Sequence, residues 1–106
     1  MFNSKIIGLG KYLPENVVTN ADLEKIMETS DAWIQERTGI KERRHITKGD
    51  GNSTSVMGVK AARIAIERAG LKPQDIDFIL FATLSPDYYF PGSGVLVQEA
   101  LEIPDC

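Results

Sequence analysis

In the stretch TSDAWIQERTGIKERRH, Thr29 to His45, an indole and a guanidinium stand four residues apart. If the stretch is helical, Trp33 and Arg37 share one face. Side by side they could clasp a flat aromatic ring by stacking and cation–π attraction, and adenine has that shape. Thr29 and Thr38 would add hydroxyl groups nearby. Arg43, Arg44 and Lys48 follow closely enough to meet phosphates. The competing reading is a surface helix with one Trp–Arg packing pair beside a solvated charged strand, and spacing alone leans that way. In the loop SPDYYFPG, Tyr88, Tyr89 and Phe90 are adjacent. Three consecutive aromatics suit a pocket wall or a subunit interface, or a loop folded over its own core.

Other chemistry finds little support. Gly8-Leu9-Gly10 lacks the third glycine of a dinucleotide loop, and Pro14 blocks a helix where a pyrophosphate would need one, so a strand-end turn is expected. His45 is the only histidine and Cys106 the only cysteine. No pairing of metal-ligand spacing exists, and no Ser-His-Asp arrangement shows itself. No metal and no cofactor is expected.

The bulk composition agrees with a soluble globular protein. The chain has 106 residues, of which 42% are hydrophobic and 25% charged, with a net charge of −3. That balance excludes a disordered chain and a general nucleic-acid binder. A single cysteine forms no internal disulfide, so a reducing cytoplasm suits the chain. The first residues lack the apolar core and cleavage site of a signal peptide. No apolar run reaches the roughly 20 residues that span a bilayer. Asn52-Ser53-Thr54 reads better as a helix cap than as a glycosylation site.

The elements that must position these residues follow from pattern. Lys5 to Tyr12 reads as a strand ended by Pro14. Asn20 is placed to cap a helix through Met27, and Ser30 a second from Asp31 to Thr38 that stops at Gly39. Ile40 to Ile46 is a charged edge strand. After a turn at residues 49–52, a helix runs from about Ser53 to Ala69 and stops at Gly70. Lys60, Arg63 and Glu67 form its one polar stripe, so it should be buried on more than one side. Residues 72–75 make a turn. IDFILFATL, Ile76 to Leu84, is a nearly unbroken apolar run, expected as a strand covered on both faces. Ser93 is placed to cap a last helix. The order is α/β, with an apolar sheet edge left open, so the chain by itself is expected to be poorly stable or aggregation-prone.

Over essentially its whole length, from KIIGLGKYLPENVVTNADLEKIMETSDAWIQERTGIKERRH to YFPGSG and LVQEALEI, the chain resembles the N-terminal part of β-ketoacyl-acyl-carrier-protein synthase III. TSDAWIQERTGI is the most specific string. G-x-Y-L-P and T-N-x-D-L-E precede it in the expected order. The resemblance implies a thiolase-like fold, five-layered α-β-α-β-α when complete and normally a homodimer, with residues 1–106 forming a partial N-terminal domain. It implies an acyltransferase of type II fatty acid synthesis. An acyl group passes from coenzyme A, as thioester substrate, to a cysteine, and decarboxylating malonyl-acyl-carrier protein then attacks it. Long-chain, polyketide, quinolone and HMG-CoA-forming relatives share similar segments, so the acyl preference stays open. Trp33 and Arg37 match the pair that sandwiches the adenine, Thr29 a further contact at that end, and Phe90 an aromatic that shapes the partner's acyl pocket. Cys106 and His45 do not match the Cys-His-Asn triad, which falls outside these residues, so this stretch alone is expected to be inactive. A binding module for coenzyme A or carrier protein, without chemistry, is the alternative.

Overall fold

Thr19, not the expected Asn20, opens the first helix. Its hydroxyl accepts from the Asp22 N–H at 3.2 Å, and the Asp22 carboxylate accepts from the Thr19 N–H at 2.9 Å. This reciprocal pair satisfies two donors at the helix start. Helix α1 (Asn20–Glu24) is shorter than the pattern suggests and unwinds through turns at Lys25 to Met27. Helix α2 (Asp31–Thr38) has its expected bounds: the Ser30 hydroxyl accepts from the Trp33 N–H, and Gly39 ends the helix in the left-handed region at φ 71°. A residue with a Cβ is strained there, which is why glycine stands at the stop.

The computed structural model describes residues 2–106 and divides them into two units. The elements above belong to the unit of residues 13–50. Strand β1 (Asn16–Thr19) pairs antiparallel with β2 (Glu42–His45), with Val17 opposite Arg44 and Val18 opposite Arg43. β2 lies inside the expected charged edge strand. β1, four residues of NVVT directly after a proline-containing loop, is too short for alternation to announce it.

The other unit comprises residues up to Tyr12 and from Gly51 onwards. Its long helix α3 (Thr54–Arg68) is capped by the Ser53 hydroxyl, which accepts from the Val56 N–H. The stripe of three polar residues is corrected in one place. Arg63 and Glu67 are exposed, but Lys60 is half-buried. Its ammonium donates to Asn52 Oδ1 at 2.8 Å and to the Tyr12 hydroxyl at 3.3 Å, and lies 4.3 Å from the centre of the Tyr12 ring. Most of α3 is half-buried rather than enclosed. After a 3-10 turn at Pro73–Asp75 and the apolar run, helix α4 (Ser93–Leu101) follows. Gly92, not Ser93, holds the cap position of α4, and Ser93 is the first helical residue. The core gathers here: Val97, Leu101 and Ile103 are buried, with Val59, Ala62, Ile66, Ile76, Ile79 and Phe81 packed against them.

Both expected strands of this unit are corrected. Lys5 to Tyr12 and Ile76 to Leu84 enter no β ladder. A strand exists only through a hydrogen-bonded neighbour, and neither run has one among the described residues. Nor is the second run covered on both faces: Ile76, Ile79 and Phe81 reach the core, whereas Phe78, Leu80 and Leu84 stay exposed. The Gly8-Leu9-Gly10 reading changes too. These glycines lie against the α3 backbone at Ala65 and Ala61, where a Cβ would collide with carbonyl oxygens. Their purpose is close approach to a helix.

Candidate functional site

Trp33 and Arg37 come together as their spacing implies. The Arg37 guanidinium carbon stands 5.5 Å from the centre of the Trp33 ring. Trp33 remains 54% exposed and Arg37 is exposed as well, so the indole is not consumed by the core. On the same helix only Ile34 is buried. The rest of DAWIQERT is polar or solvent-facing, which leaves the indole and guanidinium paired with each other and open to solvent. A shallow hollow of about 260 Å³ opens beside them, lined by Glu28, Thr29, Ser30 and Trp33. Thr29 therefore sits at the site, next to the indole.

A polar joint missed by sequence reasoning holds this helix in place. Asn20 is 1% exposed and satisfied on both sides of its amide. Its Nδ2 donates to Asp31 Oδ1 at 2.7 Å and to the Ile40 carbonyl at 2.8 Å. Its Oδ1 accepts from Arg43 Nη2 at 2.6 Å. The start of α2, the chain after it and β2 are thus tied to one side chain. The hydrogen bonds from Asn20 and then Gln35 hold the Asp31 carboxyl below the usual carboxylate range. The local signal, an asparagine beside a threonine at a helix start, reads first as a cap, which hides its longer reach.

The remaining predicted residues divide. Thr38 Oγ1 donates to the Ile34 carbonyl at 2.7 Å and accepts from the Ile40 N–H at 3.1 Å, so its hydroxyl serves the helix end. Arg43, expected to be free for phosphate, is bound to Asn20 and to the Val18 carbonyl. Arg44 gives one N–H to the Pro14 carbonyl at 2.9 Å and is otherwise exposed, as is Lys48. His45 is exposed at the end of β2. In the other unit Phe90 is 92% exposed and Tyr89 96%, so the loop does not fold over its own core. A larger hollow of about 420 Å³, with Phe78, Phe81, Val95, Gln98 and Cys106 among its walls, has no charged side chain to meet a phosphate. Among the described residues no three acidic, histidine or cysteine side chains gather as metal ligands, and no helix is long and apolar enough to cross a membrane.

No protein-family model matches the chain. Individual proteins do. Over 99 residues it is 54% identical to β-ketoacyl-[acyl-carrier-protein] synthase III 1 of Bacillus cereus, covering 93% of this chain and 31% of that protein. The crystal structure of 3-oxoacyl-[acyl-carrier-protein] synthase III from Aquifex aeolicus matches with a TM-score of 0.86 at 48% identity, over 96% of this chain and 32% of that one. The priming β-ketosynthase of a polyketide biosynthetic pathway matches with a TM-score of 0.84 at 31% identity, over 95% and 30%. The chain spans about a third of the length of the proteins it matches. It is therefore homologous, along nearly all of its length, to about a third of a β-ketoacyl-acyl-carrier-protein synthase III, and it shares the thiolase-like α/β fold of those proteins.

Proposed function

We propose that the protein carrying this segment condenses an acyl-coenzyme A with malonyl-acyl-carrier protein, as a cytoplasmic homodimeric 3-oxoacyl synthase III, and that residues 1–106, as a partial N-terminal domain, furnish the nucleotide end of its substrate site. The observation that carries the reading is the exposed Trp33–Arg37 pair, 5.5 Å from ring centre to guanidinium, beside the hollow at Thr29. Adenine stacks between indole and guanidinium once the exposed Arg37 side chain swings outward from its 5.5 Å contact with the ring, and Thr29 offers a hydroxyl at that end. Arg44 and Lys48 are the cations left to approach phosphates. Thr38 acts through the helix end. Phe90 projects from the other unit to shape the partner subunit's acyl pocket. Acyl transfer and decarboxylative condensation belong to a Cys-His-Asn triad outside these residues, with no metal and no cofactor beyond the coenzyme A thioester.

Steady-state kinetics of the full-length protein test this. Trp33→Ala should raise KM for acyl-CoA about tenfold while kcat moves much less, the mark of lost binding remote from the reacting atoms. An unchanged KM removes the adenine role. The likeness to a polyketide priming ketosynthase keeps a second acyl specificity in view, and a panel of acyl-CoA thioesters in the same assay separates the two.

A further inference from the structure

The loop from Ser85 to Gly92 has a polar root and an apolar tip. At the root, the Asp87 carboxylate gathers donors from the first turns of two helices. Ser55 of α3 donates its N–H to Oδ2 at 2.8 Å and its hydroxyl to Oδ1 at 3.0 Å. Ser93 of α4 donates its hydroxyl to Oδ2 at 2.7 Å and accepts the Asp87 N–H at 3.0 Å, so the loop closes on itself across six residues. Thr54, also at the start of α3, donates its hydroxyl to the Ser85 carbonyl at 2.7 Å. Ser55 and Ser93 are buried, at 7% and 3% exposure. The carboxylate thus takes one otherwise unsatisfied N–H at the start of α3, that of Ser55, and lies near the positive ends of two helix dipoles. Burial pushes the Asp87 carboxyl up, but hydrogen bonds from Ser53, Ser93 and Ser55 outweigh it and hold it at about 2. The tip shows the opposite character, with Tyr88, Tyr89 and Phe90 63%, 96% and 92% exposed.

We propose that Asp87 is a positioning residue for acyl-chain selection: by clamping the loop root to α3 and α4, it fixes where the Tyr88–Tyr89–Phe90 tip projects. This rests on the reading of Phe90 as an acyl-pocket wall. A tip of three large apolar side chains without internal support can be placed only from its root. The root has one charged group, which serves both helices at once. Loss of the charge leaves the Ser55 N–H facing a weaker acceptor and frees the tip to wander while the core around Val97 and Leu101 stays packed.

The test uses the full-length protein with Asp87→Asn, Phe90→Ala and, in case Asp87→Asn does not fold, Ser93→Ala, which leaves both Ser55 bonds in place. Two quantities are read. One is amide hydrogen exchange in residues 85–93. The other is the ratio of kcat/KM for acetyl-CoA to that for octanoyl-CoA. Asp87→Asn should speed exchange in the loop about tenfold or more and move the ratio in the same direction as Phe90→Ala, without raising KM for both thioesters alike. Unchanged exchange, or a uniform loss on both thioesters, overturns the proposal. If Phe90→Ala leaves the ratio unmoved, the acyl-wall reading fails and the selection role of Asp87 falls with it. If Phe90→Ala moves the ratio and Asp87→Asn does not, the wall stands and Asp87 alone is refuted.

Discussion

Asn20 Nδ2 lies 2.7 Å from Asp31 Oδ1, joining the first residue of α1 to the first residue of α2. Trp33 follows two residues later, so the indole inherits its position from a buried amide in another helix. Asn20→Ala would leave the Ile40 carbonyl and the Arg43 guanidinium short of a partner. It should destabilise the protein by about 2–3 kcal/mol, read by urea unfolding. Asn20→Asp should also destabilise at neutral pH, because a second carboxylate would face Asp31 although Arg43 would pair with it, and should recover as acid protonates one of them. Equal stability of Asn20→Asp and the parent at pH 7 would sink this account of the joint.

Trp33 is the only tryptophan among these 106 residues, so the tryptophan fluorescence of this segment reports on it. Titration with coenzyme A should quench it, and adenine-free pantetheine should not. Arg37→Ala should weaken the quenching titration by about 0.5–2 kcal/mol, the range for a cation–π partner passing from exposed to desolvated. Quenching of equal midpoint by pantetheine would place the ligand elsewhere.

Gly10 admits no side chain. An added Cβ would meet the Ala61 carbonyl oxygen and come within 2.7 Å of the Ala65 backbone nitrogen, both part of α3 and unable to yield. Gly10→Ala should cost about 3 kcal/mol or abolish folding. Gly39→Ala, where the added Cβ meets nothing but the backbone sits at φ 71°, should cost only about 1–2 kcal/mol. Thermal melts of the two variants separate steric collision from backbone strain.

Acid should act through Asp87. Its folded value is about 2 against an ordinary 3.8, so it binds a proton less readily when folded. The associated stabilisation is complete above about pH 4 and is lost as pH falls towards 2. Asp87→Asn should therefore lose stability at pH 7 by about 2 kcal/mol, and the gap from the parent should close in acid. A gap that stays constant from pH 7 to pH 2 would show that the carboxylate charge is not what the serines hold.

The local features of this chain were legible because they are local. Ser30, Gly39 and Ser53 do their work within four residues, so residue type and position predict helices α2 and α3 closely. The Trp33–Arg37 pair is of the same kind, since four residues on a helix fix a distance. Asn20 and Asp87 were not legible, because their most distant partners lie 23 and 32 residues away and either residue alone reads as an ordinary cap or turn former. The apolar runs misled in a third way. Residues 76–84 have the composition of a buried strand, yet pairing needs a neighbour, and Phe78 and Leu80 face outward without one. Composition reports what a segment requires, and the surrounding chain decides whether it is supplied.

The Lys60 clasp has a consequence for how such a protein changes over time. Tyr12 and Asn52, the two residues it grips, stand just outside the stretch from Leu13 to Asp50 that interrupts the other unit. The stretch therefore leaves and rejoins its host at one fastened gate. A gene could exchange this stretch whole, indole and guanidinium included, while the host keeps its own core. The two units are then free to vary in sequence independently, because replacing residues 13–50 touches neither the clasp nor the residues packed around Val97 and Leu101.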